Sequence, residues 1–209
     1  MRAERRHSEP RMRAERKGSV TLEFIIAFPI VFVATIAIAE FFFLSLVIEG
    51  GTTALYEGTR EGAEAYPVGF PLNTPAGGNP LLYDDDIADK IVAVIDEHLS
   101  VYNVEVADPD NGFPDDPDKQ NATVIIERGG LAAVTRPAGG ALNQLGAAYS
   151  CTRAGPAPAA NEIVVTLCFE IVDASDPDGY NGPVPDWLTA CGFSLNGTTF
   201  EMTARASLE

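Results

Sequence analysis

The feature that most constrains the fold is a long apolar stretch from Phe24 to Ile48. Among these 25 residues only four are not plainly apolar, namely Pro29, Thr35, Glu40 and Ser45. A helix of this length is about 37 Å long at 1.5 Å per residue, enough to cross a hydrocarbon core of about 30 Å. So long an apolar stretch rarely forms the buried helix of a soluble domain. The sequence therefore predicts one transmembrane helix over residues 24–48.

Charge is distributed unevenly on the two sides of this stretch. The chain has 14 Lys and Arg against 30 Asp and Glu, and residues 1–18 hold seven of the basic residues but only three of the acids. The positive-inside rule places this basic leader in the cytoplasm and the residues after about Gly50 in the periplasm. The acidic remainder argues against nucleic-acid binding, which needs a concentrated positive surface. The stretch is too long for an ordinary signal peptide, so we expect retention in the bacterial inner membrane.

The junction before the span reads Arg16-Lys17-Gly18-Ser19-Val20-Thr21-Leu22-Glu23-Phe24. It resembles the processing site of type IV prepilins, in which a membrane prepilin peptidase cuts after the Gly. The resemblance implies cleavage between Gly18 and Ser19. A carboxylate such as Glu23 at the edge of an apolar run is costly unless it is paired, and the new α-amino group of Ser19 would supply a partner. The alternative is a Glu23 that reaches the interface from an uncleaved signal anchor.

The resemblance extends beyond this junction. Glu23-Phe24, Pro29, Glu40 and Arg60-Glu61-Gly62-Ala63 follow the N-terminal signature of TadE-like proteins, the pseudopilins of tight-adherence (Flp-type) pilus systems. The final ten residues are similar to the closing strand of that family. The major Flp pilin is little more than the membrane helix, so the long extension of this chain implies a minor subunit. The family implies a role in pilus biogenesis and surface adhesion, with other pilin subunits and the secretion platform as partners.

Two positions within the span carry expectations of their own. A carboxylate such as Glu40 costs about 2.5–3.5 kcal/mol in a membrane on insertion scales. Either Glu40 contacts a neighbouring subunit or the platform, or it stays protonated or lies near the outer headgroups. Pro29 removes one backbone hydrogen bond and is expected to kink or loosen the helix.

The rest of the chain predicts an α+β fold. The N-terminal helix is expected over residues 19–66, a Pro/Gly-rich linker over 67–86 and an extracytoplasmic domain over 87–209. In the last of these, Ile87–Leu99 has apolar residues at intervals of four and predicts a short packed helix. Strands are predicted by alternating apolar and polar residues at Val101–Ala107, Ala122–Arg128, Glu162–Val172 and Thr199–Leu208. The domain is therefore expected to hold an antiparallel sheet of about four strands.

Three cysteines, Cys151, Cys168 and Cys191, lie in the part expected to face the periplasm. Cysteines in this oxidising compartment commonly pair, so a disulfide is expected. Because any two of the three could form it, the sequence leaves the pairing open.

An acidic segment offers weak candidate calcium ligands at Asp108, Asp110, Asp115 and Asp116. Carboxylate oxygens suit calcium, but Gly112 stands where an EF-hand loop needs an oxygen ligand. Solvated acidic loops are the plainer interpretation, and no cofactor or metal is predicted.

No catalytic motif stands out in the sequence, so a non-enzymatic structural subunit is the favoured interpretation. The alternative is an uncleaved, signal-anchored periplasmic domain that binds calcium or a periplasmic partner. A membrane-tethered enzyme has no recognisable group of catalytic residues to support it.

Overall fold

The computed structural model describes residues 12–64, 87–106, 120–136, 151–171, 182–195 and 197–208. The chain divides into two compact units, Met1–Ala39 and Glu40–Glu209, and we call the second unit the head. The predicted linker at 67–86 lies outside the described residues.

The long N-terminal helix, α1, spans Met12–Glu64 and is continuous through Pro29. In the first unit, all side chains from Val20 to Phe32 are exposed, so the described residues leave a long apolar surface uncovered there. The residues of α1 that belong to the head behave differently, because they bury one face of small and apolar side chains: Val47, Ala54, Leu55 and Ala63. Helix α1 therefore has an exposed apolar surface in the first unit and contributes buried side chains to the hydrophobic core of the head.

The second helix, α2, spans Ile87–Leu99 and buries the four residues that the interval of four predicts, Ile87, Ile91, Ile95 and Leu99. A 3-10 turn follows at Ser100–Tyr102 and ends at Asn103, whose φ of 55° is left-handed. Asn tolerates this backbone conformation better than most residues. The turn replaces the first half of the strand predicted at Val101–Ala107, which shortens that strand.

Five strands form one sheet: β1 (Glu105–Val106), β2 (Gln120–Arg128), β3 (Val134–Arg136), β4 (Glu162–Glu170) and β5 (Thr199–Ser207). Their order is β1-β2-β4-β5, and β3 also pairs with β2. Because β4 occupies one edge of β2, the strands β1 and β3 share its other edge. β1 runs parallel to β2, whereas the other pairs are antiparallel.

The prediction of an antiparallel sheet of about four strands is wrong in two respects. The sheet is mixed, because β1 and β2 are parallel, and β3 adds a fifth strand. Parallel neighbours need a connection of about a dozen residues or more, and residues 107–119 are long enough for it. Alternation of apolar and polar residues does not show whether two strands pair in the parallel or the antiparallel direction. The three residues of β3 are too few to show an alternating pattern at all.

The inner face of the sheet is continuous with the core. Phe169 of β4 lies between Ala122 of β2 and Phe200 of β5, and the rings of Phe169 and Phe200 stack with centroids 6.0 Å apart. The same register places Leu167 between Val124 and Met202. These side chains, together with α2 and the head part of α1, form the hydrophobic core.

The outer face of the sheet is covered by the segment that precedes β4, residues 151–161. The backbone N–H of Ala154 donates a 3.0 Å hydrogen bond to Oγ1 of Thr203, and Arg153 pairs with Glu127 of β2. Residues Ile163–Glu170 are therefore buried on both faces, which makes β4 the central element of the head.

Candidate membrane-anchoring and assembly site

The predicted cleavage site lies within α1. Gly18 and Ser19 are helical, and the side chains that the structure describes begin at Val20. Glu23 and Phe24 are both exposed on the helix surface. The structure thus presents the Glu-Phe pair on the outside of the helix, where a neighbouring molecule could reach it.

Three phenylalanines follow one another along one side of this exposed helix. The ring centroids of Phe24 and Phe28 are 5.7 Å apart, and those of Phe28 and Phe32 are 6.0 Å apart. Residues four apart are neighbours on a helix surface, so the rings form a continuous aromatic ridge. An exposed ridge of this kind suits lipid or another apolar helix.

The hydroxyl groups in the apolar stretch are bonded to the backbone of their own helix. Thr35 donates to the carbonyl of Val31 at 2.8 Å, and Ser45 donates to that of Phe41 at 2.9 Å. Such bonds remove the cost of an unpaired hydroxyl in hydrocarbon. Pro29 lies inside the helix, and its missing N–H leaves the carbonyl of Ile25 without its usual donor.

Glu40, the first residue of the head, is buried by this chain's own residues. Its side chain belongs to a residue only 2% exposed, and neither carboxylate oxygen has a hydrogen-bond partner among the described residues. Asp186 and the backbone N–H of Leu188 act on it electrostatically. One of the roles expected for Glu40 is a contact with a neighbouring subunit. Such a contact would require the residues of the head that cover Glu40 to move away from it.

The element that covers Glu40 is a 3-10 helix at Trp187–Cys191 with its flanking residues. Trp187 packs edge-on against Phe43 of α1, with ring centroids 5.8 Å apart. Asp186 closes the segment, because its carboxylate accepts a 2.7 Å hydrogen bond from the hydroxyl of Ser194 and a 3.4 Å bond from the N–H of Leu195. We call residues Asp186–Leu195 the tryptophan loop.

The Arg60-Glu61-Gly62-Ala63 element lies where α1 packs against α2 and β4. A Cβ atom at Gly62 would come within 2.6 Å of Cδ1 of Ile91 and 2.9 Å of Cδ1 of Ile163. Gly62 therefore leaves room for the side chains of Ile91 and Ile163 against α1. On the exposed side, Arg60 donates a 2.6 Å hydrogen bond to Glu64, and such solvent-exposed ion pairs contribute little to stability.

The three cysteines are now assigned. Cys151 forms a disulfide with Cys168 of β4, with their Cα atoms 5.8 Å apart, and Cys191 in the tryptophan loop is a free, exposed thiol. The disulfide ties the covering segment to the outer face of the sheet. The sequence could not rank the pairings, because the contact depends on which face of β4 that segment covers.

The acidic residues proposed as weak calcium ligands, Asp108, Asp110, Asp115 and Asp116, lie outside the described residues. Within the described ranges there is no group of three or more His, Cys, Asp or Glu side chains that could hold a metal ion. The calcium interpretation stays a prediction.

Among the described residues, one helix, Val20–Glu64, is long and apolar enough by length and composition to cross a membrane. Comparison of the chain with protein-family models, with curated proteins and with solved structures finds no match. Function must therefore be argued from the residues themselves.

Sequence reasoning missed the tryptophan loop as part of this site. Trp187 and Asp186 meet α1 near Glu40 and Phe43, more than 140 positions away in the chain. No local periodicity marks such a contact. The one available signal was that the single Trp of the chain sits in a Pro- and Gly-rich segment without strand or helix pattern.

Proposed function

We propose that this chain is a TadE-like minor pseudopilin of a tight-adherence (Flp-type) pilus system, anchored in the bacterial inner membrane with its head in the periplasm. It acts as a structural subunit in pilus biogenesis and surface adhesion, without catalysis. A prepilin peptidase releases it by cleavage between Gly18 and Ser19. Its partners are other pilin subunits and the secretion platform.

One observation carries this proposal. The same helix, α1, offers an exposed apolar surface beginning at Val20 and supplies core residues to the head from Val47 onward. A subunit that moves from a membrane into a helical assembly needs an apolar helix that is free to exchange lipid for neighbouring helices. It also needs that helix to be fastened to a folded domain.

The Cys151–Cys168 disulfide supports the periplasmic location of the head. Disulfides form and persist in oxidising compartments such as the periplasm, and are rare in the cytosol. The charge pattern supports the same orientation, since residues 1–18 hold seven of the 14 basic residues.

The proposal is tested by the mass and N-terminal sequence of full-length protein extracted from membranes of cells with an active prepilin peptidase. We expect a chain that begins at Ser19. Substitution Gly18→Val should block this processing, whereas Ala3→Val in the same leader should not. A chain that keeps residues 1–18 in these cells would favour the uncleaved signal-anchored domain instead.

Assembly is tested separately with Glu23. We expect Glu23→Ala to leave membrane insertion intact but to reduce the amount of subunit recovered in sheared pili, because the carboxylate no longer pairs with an α-amino group. Glu49→Ala is the matched control, since Glu49 is exposed on the same helix within the head. Equal recovery of the two variants would contradict a role for Glu23 in assembly.

A further inference from the structure

Large apolar side chains are exposed at one end of the head. Of the eight that are exposed among its described residues, three are Phe41, Phe42 and Phe43 of α1 and two are Trp187 and Phe193 of the tryptophan loop. Trp187 is 46% exposed although it packs on Phe43, and Phe193 is 69% exposed. We call these five residues the aromatic edge.

The tryptophan loop holds Trp187 against Phe43 of α1 and also carries Phe193. The N–H of Phe193 donates a 3.1 Å hydrogen bond to the carbonyl of Leu188, so the chain folds back on itself directly after the 3-10 helix. Asp186 ties Ser194 and Leu195 to the start of the loop. Trp187 and Phe193 thus lie on one closed loop, and Trp187 packs on Phe43.

The exposed surface of α1 changes its character at this level. From Val20 to Phe43 all the large apolar side chains except Val33 and Ile36 are exposed, whereas Tyr56 is the one large side chain with apolar character among the exposed positions from Leu44 to Glu64. The stretch from Val20 to Ala39 is about 30 Å long at 1.5 Å per residue, which equals the thickness of a hydrocarbon core. The aromatic edge therefore begins where this core would end.

Aromatic side chains, Trp above all, favour the interface between hydrocarbon and water, because one part of the ring system is apolar and another is polar. We propose that the aromatic edge docks the head onto the outer leaflet of the membrane that α1 crosses. This rests on the membrane anchoring in the proposed function. Under this proposal, the part of α1 that lies in the hydrocarbon core is Val20–Ala39 instead of residues 24–48.

Docking by the aromatic edge is apolar and does not depend on charge. Residues 19–209 carry a net charge of −20, so anionic headgroups would repel the head. A zwitterionic bilayer is therefore the fitting surface, and Glu40 lies just above the hydrocarbon, covered by the tryptophan loop.

Trp187 is the only Trp of the chain, so its fluorescence reports on this surface without any substitution. The full chain is reconstituted into phosphatidylcholine vesicles that contain, or lack, lipids brominated near the headgroup end of the acyl chains. We expect the brominated lipids to cause a loss of Trp187 emission and aqueous iodide to cause little. Quenching by iodide alone would overturn the proposal, because the loop would then stand in water.

Quenching by neither agent would also overturn it, since protein, such as a second copy of the chain, would then cover Trp187. The matched control is the double variant Trp187→Phe/Tyr56→Trp. Tyr56 is 62% exposed and lies about 20 Å beyond Phe43 along α1 at 1.5 Å per residue. Its Trp should be quenched by iodide and not by the brominated lipids.

This experiment separates the docking from the proposed function. Resistance to alkaline carbonate extraction reports the anchor, and the N-terminal sequence reports the processing at Ser19. A processed and anchored chain with Trp187 in water would lose only the docking. An unprocessed chain with lipid-quenched Trp187 would keep the docking and lose the pseudopilin assignment.

Discussion

Glu40 is a costly residue for the fold that contains it. Its carboxylate is enclosed between α1 and the tryptophan loop, and neither oxygen has a hydrogen-bond partner among the described residues. A buried polar group without a partner loses its bonds to water and gains none in return, at about 1–3 kcal/mol. We therefore expect Glu40 to lower the stability of the head.

We predict that Glu40→Leu raises the free energy of unfolding of the head by about 1–3 kcal/mol, because it removes the unpaired carboxylate and keeps an apolar side chain of similar length. The measurement is chemical denaturation of the detergent-solubilised chain, followed by Trp187 fluorescence. Glu49→Leu, at an exposed position, should change stability by less than about 0.5 kcal/mol. A loss of stability in Glu40→Leu would show that Glu40 has a favourable partner in the folded protein.

Glu162 at the start of β4 makes stability depend on pH. The N–H of Ala159 donates a 3.0 Å hydrogen bond to its carboxylate, and Nη1 of Arg205 lies 3.3 Å away. The hydrogen bond from Ala159 has the largest effect, and together with Arg205 it holds the pKa of Glu162 below its ordinary 4.5. A lowered pKa in the folded state stabilises the fold above the ordinary value, and this stabilisation is lost as the pH falls through the folded value.

We therefore expect the melting temperatures of the parent chain and of Glu162→Gln to differ at neutral pH and to converge as the pH falls below 4.5. Thermal unfolding of both proteins across this range measures the convergence. Glu61→Gln, on the exposed face of α1, serves as the control variant. A difference for Glu162→Gln that is independent of pH would contradict a role for its ionised form.

At the scale of elements, the packing of α1 depends on glycines that the sequence presents as weak points of a helix. A Cβ atom at Gly58 would lie 2.8 Å from Cγ1 of Ile95 and 3.2 Å from the backbone oxygen of Ile91. At Gly51 the contacts are looser, since a Cβ atom would lie 3.1 Å from Cε of Met202 and 3.4 Å from Cε1 of Phe169. Glycine lowers the helix propensity of α1 at these positions. The close packing of α2 and the sheet against α1 offsets this loss of stability.

We predict that Gly58→Ala lowers the stability of the head by about 1 kcal/mol, because overpacking of about 1–3 kcal/mol outweighs a gain in helix propensity of about 1 kcal/mol. The steric origin is tested in a double-mutant cycle with Ile95→Ala. That substitution should cost less in the Gly58→Ala background, since it frees the space that the new methyl group needs. Glu61→Ala, at an exposed position of α1, serves as the control for helix propensity. Strict additivity of the two substitutions would contradict the steric explanation.

For the whole molecule, the proposed function assigns the apolar part of α1 to the membrane and the head to the periplasm. The basic residues before Ser19 and the acidic remainder set opposite preferences for the two sides of a membrane. The disulfide between Cys151 and Cys168 leaves Cys191 as the free thiol of the chain, and this residue is exposed. Cys191 therefore offers a native probe of orientation.

We expect a membrane-impermeant maleimide to label Cys191 in cells whose outer membrane alone has been permeabilised, because the proposed orientation places the head in the periplasm. Mass spectrometry of the extracted protein measures the labelling, and Cys191→Ser should abolish it. Labelling that appears only after the inner membrane is disrupted would place the head in the cytoplasm and contradict the proposed orientation.

The parts of the fold that local periodicity governs were predictable. The interval of four in Ile87–Leu99 placed the buried face of α2. Alternation placed Ile163, Val165 and Leu167 on one face of β4, and the structure shows that this face joins the core. The parts that depend on distant residues were not predictable, such as the parallel direction of β1 and the cover over Glu40. The predicted site residues Gly18, Ser19, Glu23 and Phe24 have been located in the helix, and their roles remain predictions.

The sequence by itself determined that one helix is apolar over a membrane's thickness, that charge favours one orientation of it, and that an α+β domain follows. These features follow from composition and from repeats of two to four residues, which are properties of adjacent positions. Only the tertiary structure decided that Cys151 pairs with Cys168, that Gly58 and Gly62 admit neighbouring side chains, and that Trp187 meets Phe43. Those contacts join positions far apart in the chain, and packing alone, without any local pattern, brings them together.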